Sequence, residues 1–344
     1  MFANLVGNNH IKDVVRRLVR AARVPNSLLF AGDEGVGKRL FAIELAKALI
    51  CTDPTDGEAC DVCPACRRAD IFTFPKADDK DAHKRIIWSD HPDIGTIIPH
   101  NRNILVDAVR HLESEANFQP YEARSRFFII NDADKLNDAA SNALLKTLEE
   151  PPPTSHIFLI ASRPDSLLPT IRSRCQILRF APVETQEIEK YLIDRRSFST
   201  DEAKLAARLS RGSIGRAVSI NVEQFRGRRD KMLGVIRDAI ETGDRTALLR
   251  TSEEINDAKN KESFEENLDI LESLIHDVWT LRVSGNASRL VNTDLVTDLS
   301  RLAENAGRAN LPAWLGEIET MRESFAVNIN RKVATDALFM SMVN

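Results

Sequence analysis

The sequence predicts an α/β fold, a helix-covered parallel sheet carrying a phosphate loop, followed by purely helical segments. Three observations predict it. The runs Leu28-Leu29-Phe30-Ala31, Phe127-Phe128-Ile129-Ile130 and Ile157-Phe158-Leu159-Ile160 have the unbroken hydrophobicity of strands buried on both faces. The first run leads straight into Gly32-Asp33-Glu34-Gly35-Val36-Gly37-Lys38, the glycine-rich pattern of a phosphate loop. After Phe180-Ala181-Pro182 the strand signals stop and helical periodicity takes over.

The elements follow in order. Ile11, Val14, Val15, Leu18 and Val19 recur on one face of a first helix. Leu40, Phe41, Ile43, Leu45, Leu49 and Ile50 predict a helix over 38–50, directly after the loop. The stretch 51–90 is polar and irregular and reads as a surface excursion stapled by metal. A further helix starts at Asn137, a good N-cap, and stops at Pro151-Pro152-Pro153. Alternation of strand and helix implies a parallel sheet with helices on both faces. The expected domains are 1–180, a small helical one at 181–221 and a longer helical one at 222–344. Leu268, Leu271, Ile275, Val278 and Leu281 form the core stripe of the last, with Trp279 expected beside them.

Composition narrows the function. The chain has 344 residues, is 43% hydrophobic and 28% charged, and carries a net charge of −4, which excludes a general polyanion binder. It has no uninterrupted apolar stretch of the roughly 18 residues that a membrane span needs. Met1-Phe2-Ala3-Asn4-Leu5 lacks the basic-then-apolar pattern of a secretory leader, so the expected location is cytoplasmic. The cluster Arg226, Arg228, Arg229 and Lys231 reads as a solvated helix face rather than a DNA contact.

Four of the five cysteines, Cys51, Cys60, Cys63 and Cys66, lie close together, the last three in consecutive CxxC steps. Four thiolates at this spacing make a tetrahedral zinc site. With four sulfurs no position is left for water, so the expected zinc is structural, in a module spanning 51–66.

In the phosphate loop, Gly32, Gly35 and Gly37 let backbone N–H groups converge on phosphate oxygens, and Lys38 would reach the β- and γ-phosphates. The next position needs a Ser or Thr hydroxyl for Mg²⁺ but carries Arg39. The strand 127–130 should run into Asp-Glu, to support the metal and orient the attacking water, but runs into Asn131-Asp132. The loop is therefore compatible with ATP or ADP binding, without efficient Mg²⁺-dependent hydrolysis.

The zinc spacing, the helix Asn142-Ala143-Leu144-Leu145-Lys146-Thr147-Leu148-Glu149-Glu150-Pro151-Pro152, and Ser173-Arg174-Cys175 together resemble the bacterial DNA polymerase III clamp-loader subunits. The likeness covers roughly residues 1–180. It implies an AAA+ parallel-sheet domain with a zinc-module insertion, a small helical lid, and an all-helical collar through which subunits assemble. In the ATPase γ/τ branch, Gly-Ser is soon followed by a nucleotide-sensing arginine. Here Gly215 takes that place and Arg216 comes one step later. With Arg39 and Asn131-Asp132, this resembles the δ′ branch, the alternative being an active γ/τ-type ATPase.

As residues alone, Arg174 is one of several arginines (Arg163, Arg172, Arg179) near a strand end. The resemblance makes it a trans arginine finger, reaching the γ-phosphate of ATP held by a neighbour. It also implies the partners: γ/τ and δ subunits in a hetero-pentameric ring, and through the ring the sliding clamp and primed DNA. Ser162 falls at the polar sensor position, Cys175 reads as packing beside the finger, and Glu149 and Glu150 as fixing a turn or a subunit contact.

Overall fold

The computed structural model describes residues 2–257, 263–307, 309–324 and 330–343. They divide into two compact units, Met1–Ser219 and Ile220–Asn344. The sheet of the first unit contains β1 (Ser27–Ala31), β2 (Ile87–Trp88), β3 (Ile94–Ile97), β4 (Arg126–Ile130), β5 (Ser155–Ala161) and β6 (Gln176–Arg179). Their spatial order is β2-β3-β4-β5-β1-β6, parallel throughout except for β2, which runs antiparallel to β3 at the edge.

The apolar runs read from the sequence are β1, β4 and β5, side by side. Side chains alternate across a strand, so each run feeds two cores. Leu28, Phe30, Phe127, Ile129, Phe158 and Ile160 pack with Ile11 and Val15 of α1 (Asn9–Arg20) and Phe41 and Leu45 of α2 (Lys38–Ile50). A short helix α3 (Pro64–Arg68) follows α2. On the other face Leu29, Ala31, Phe128, Ile130, Ile157 and Leu159 meet Leu112 of α4 (Val106–Ala116) and Leu144 and Leu148 of α5 (Asp138–Glu149). Asn137 caps α5 as expected, its Oδ1 accepting from the Ala140 N–H at 2.9 Å.

Residues 51–90 are more than a surface excursion. Ala65 of α3 and Ala69 are buried in the core of α1 and α2, and the end of the segment pairs into the sheet as β2. Small side chains let α3 seat this closely. Past α5 come α6 (Pro169–Arg172), then α7 (Thr185–Arg196), α8 (Thr200–Leu209) and α9 (Ile214–Ser219). A reciprocal cap between Ser199 and Glu202 opens α8.

The second unit holds α10 (Val222–Arg237), α11 (Arg245–Asn256), α12 (Phe264–Ser284), α13 (Val296–Asn305), α14 (Leu311–Ser324) and α15 (Arg331–Ser341) around one apolar core. The stripe Leu268, Leu271, Ile275, Val278 and Leu281 faces that core. Trp279 does not. It is 37% exposed, because the position after Val278 turns off the stripe, and Trp314 of α14 is the buried tryptophan. The basic cluster is largely spent inside this unit. Arg229 is buried and donates to both carboxylate oxygens of Asp294, at 2.9 and 2.5 Å. Arg228 pairs with Glu266 and Lys231 with Glu254. No helix among the described residues is long and apolar enough to cross a membrane.

One buried charge organises the far side of the sheet. Asp93 accepts from the N–H groups of Tyr121, Glu122 and Ala123, each at 2.8 Å, fixing the loop before β4. Arg126, fully buried, opens β4 with its Nε 3.7 Å from Asp93 and donates to the Glu115 carbonyl at 2.7 Å and its carboxylate at 3.0 Å. The guanidinium lies 4.7 Å from the Trp88 ring centre. Removing one partner of a buried pair costs about 3 kcal/mol or more. Arg126→Met is therefore expected to speed amide hydrogen exchange across Phe127–Ile130 by about a hundredfold; unchanged protection would show the charge to be dispensable. Cys175 packs in the core shared with α5, and burial pushes its thiol up to about 12. Maleimide at pH 8 is expected to spare Cys175 in the native protein and label it on unfolding, as peptide mapping would report.

Candidate functional site

Parallel strands bring their C-terminal ends to one edge of the sheet, and the sequence-predicted loop lies there. The register aligns Ala31 with Ala161 and Ile130 with Leu159, so Gly32, Asn131 and Ser162, which follow these strands, converge. Asn131 and Ser162 border a cavity of about 550 Å³ whose lining also includes Gly35, Gly37, Lys38 and Asp132, with Gly32 just outside it. Leu5, Val6, Ile214 and Val218 supply apolar walls. Tyr191 and Arg196 of α7 add an aromatic and a cation that sequence reasoning missed, whereas Arg216 is exposed and outside the lining.

Lys38 folds back over its own loop. Its ammonium donates to the carbonyls of Gly32 at 2.5 Å and Asp33 at 2.6 Å, and to Ser162 Oγ at 3.2 Å. Burial pushes its pKa down, against the nearby Asp134 and Asp132. The loop is also held from outside. Gly35 has φ +76°, and its carbonyl accepts from the Gly215 N–H at 2.9 Å. A Cβ on Gly35 would come within 2.1 Å of Ser213 Oγ, so only glycine fits beneath the start of α9.

The two positions that depart from the hydrolytic pattern have found other work. Arg39 lies over the stacked rings of Phe72 and Phe74, 5.7 and 4.9 Å from their centres. Asn131 is buried and donates to Thr96 Oγ1 at 2.6 Å and the Ile97 carbonyl at 3.3 Å. Asp132 sits in the left-handed region (φ +47°) and pairs with Lys135 at 3.0 Å. Asp134 is the acid that reaches inward, accepting from the Ser162 N–H at 3.0 Å.

Cys51, Cys60, Cys63 and Cys66 meet as expected, their four sulfurs all within 4.8 Å of one another. Tetrahedral bonds of about 2.3 Å place sulfurs about 3.8 Å apart, so this set fits zinc. The N–H groups of Cys60, Cys63 and Cys66 donate to the sulfurs of Cys51, Cys60 and Cys63 at 3.3, 3.3 and 3.4 Å, which suits thiolates. Ion pairs tie the module to its neighbours. Arg16 and Arg20 of α1 pair with Glu58 and Asp56, each at 2.6 Å, and Lys47 of α2 with Asp61 at 2.7 Å. Burial opposes the Lys47 charge, yet Asp61 and Glu44 hold its pKa above the ordinary range.

Arg174 lies apart from the cavity lining, between α6 and β6. Its side chain is 33% exposed. One terminal nitrogen donates to Glu149 Oε1 at 2.5 Å, and the other to the Thr170 carbonyl at 2.9 Å. Glu149, read as a turn or contact residue, is thus the partner of Arg174.

The chain was compared with known proteins. The family described as "DNA polymerase III, delta subunit" matches residues 7–184, just over half of the chain. DNA polymerase III subunit delta′ of Escherichia coli is 30% identical, over 93% of this chain and 89% of its own. The Bacillus subtilis subunit of the same name is 27% identical, over 90% and 88%. DNA polymerase III subunit tau of Escherichia coli is 28% identical over 64% of this chain but only 32% of its own. The delta′ relatives thus match along nearly their whole length, second unit included, and the chain belongs to the δ′ family of DNA polymerase III clamp-loader subunits.

Proposed function

We propose that this chain is a non-hydrolysing stator of the clamp loader, which lends Arg174 in trans to a neighbouring γ/τ-type ATPase while the sliding clamp is loaded on primed DNA. The observation that carries it is a contrast within one chain. Arg39 and Asn131, at the two metal-binding positions, are engaged at the cavity wall with Phe72 and Phe74 and with Thr96, whereas the Arg174 fork stays at the surface away from the cavity. A guanidinium at a transferring phosphoryl group neutralises the charge that builds there, with about a thousandfold effect or more at that site. In this reading residues 181–221 act as the lid and 222–344 as the collar, in a cytoplasmic hetero-pentameric ring with γ/τ and δ subunits.

The cavity beside Lys38 has room for ATP or ADP, and Gly32, Gly35, Gly37 and Lys38 would face its phosphates. To bind there, Lys38 must exchange two carbonyl acceptors for phosphate oxygens, and no hydroxyl follows it to take Mg²⁺. The competing reading, an active γ/τ-type ATPase, draws on the retained glycines and lysine. Zinc bound by Cys51, Cys60, Cys63 and Cys66 would be structural and brace α1 and α2 from outside.

Metal analysis of reduced protein is expected to find one zinc per chain. Cys60→Ser should lose it and raise hydrogen exchange across 51–72, while β1, β4 and β5 stay protected. Protein prepared without chelator that holds no metal would overturn the assignment. For the stator, the measurement is pre-steady-state phosphate release by the reconstituted ring on primed DNA. Arg174→Ala should remove one site's share of the burst, and Lys38→Ala should leave the burst intact. If Lys38→Ala is the damaging change, the chain hydrolyses ATP itself.

A further inference from the structure

Glu149 is the last residue of α5, at the negative end of the helix, where a carboxylate is disfavoured unless something compensates it. The compensation is Arg174. Glu149 Oε1 accepts from one terminal nitrogen of the guanidinium at 2.5 Å, and the Thr170 carbonyl of α6 accepts from the other at 2.9 Å. Two acceptors on separate elements therefore fix one planar group at both terminal nitrogens. Its backbone is held as well: the Arg174 N–H donates to the Ile171 carbonyl at 3.1 Å, and Ile171 and Cys175 on either side are buried. The pair itself stays at the surface, with Arg174 33% and Glu149 50% exposed.

A long exposed arginine samples many rotamers, and ordering them on contact with a phosphate weakens the contact. A group already held in plane loses less. We infer that Glu149 is a positioning residue for Arg174, holding the guanidinium in the orientation it presents to the neighbouring subunit's nucleotide. This rests on the trans-finger reading above. The Glu149 carboxylate takes one edge of the fork and leaves the remaining N–H groups for the incoming phosphoryl oxygens, the transition-state charge being met by a donor that need not reorganise.

The test is the phosphate-release burst of the reconstituted ring on primed DNA, with wild type, Glu149→Gln, Arg174→Ala and the double variant. Glu149→Gln keeps the side-chain shape and removes the charge. It is expected to slow the burst at the site facing Arg174 roughly two- to fivefold, the range an exposed ion pair supports. The KM for ATP, the zinc content and ring assembly should stay unchanged, which a merely structural role would not predict. The double variant should be no slower than Arg174→Ala. A burst from Glu149→Gln at the wild-type rate or faster, or a double variant slower than Arg174→Ala, overturns the inference while the finger stands. If Arg174→Ala itself leaves the burst intact, the trans-finger reading fails and Glu149 positions nothing.

Discussion

A strand buried on both faces and flanked on both edges has no side chain free for chemistry. β1 is in that position, between β5 and β6 with cores above and below. Whatever the sheet is to do must happen where its strands end. The parallel arrangement sends the loop after β1, the Asn131 turn after β4 and Ser162 after β5 to the same edge. Lys38, Asp134 and Ser162 are linked there because the register puts them within hydrogen-bond reach. The site is a product of the pairing, and its contents are a matter of which residues follow each strand.

This explains what could be read in advance. β1, β4 and β5 show in the sequence because burial on both faces demands unbroken apolar runs. β2, β3 and β6 do not. They are short, β6 has one buried residue, and Gly95 in β3 makes sense only once Ile86 and Trp88 are seen lying over it. The cysteine set is readable because its ligands are neighbours in sequence. The pairs Arg39 with Phe72 and Phe74, and Arg174 with Glu149, join residues that only the fold brings together. No local spacing rule signals them. The basic cluster of α10 misleads for the same reason, since Asp294, Glu254 and Glu266 lie well away in sequence.

The segment 51–90 carries more of the architecture than its polarity suggests. Its charged residues attach to α1 and α2, its alanines enter the core, and Phe72 and Phe74 receive the side chain that follows the P-loop lysine. A cation next to the phosphate cradle would raise the positive potential there. Arg39 borders the cavity and keeps its charge, held in place by the quadrupoles of the two rings. The excursion thus shapes the phosphate-loop end of a sheet to which it also contributes the edge strand β2.

Two glycines meet closely in the first unit. A Cβ at Gly215 would lie 3.2 Å from the Gly35 Cα, and the backbone bond between these residues closes the contact. Any side chain at Gly35 or Gly215 would push α9 and the phosphate loop apart, so the contact locks the position of the loop to that of the helix.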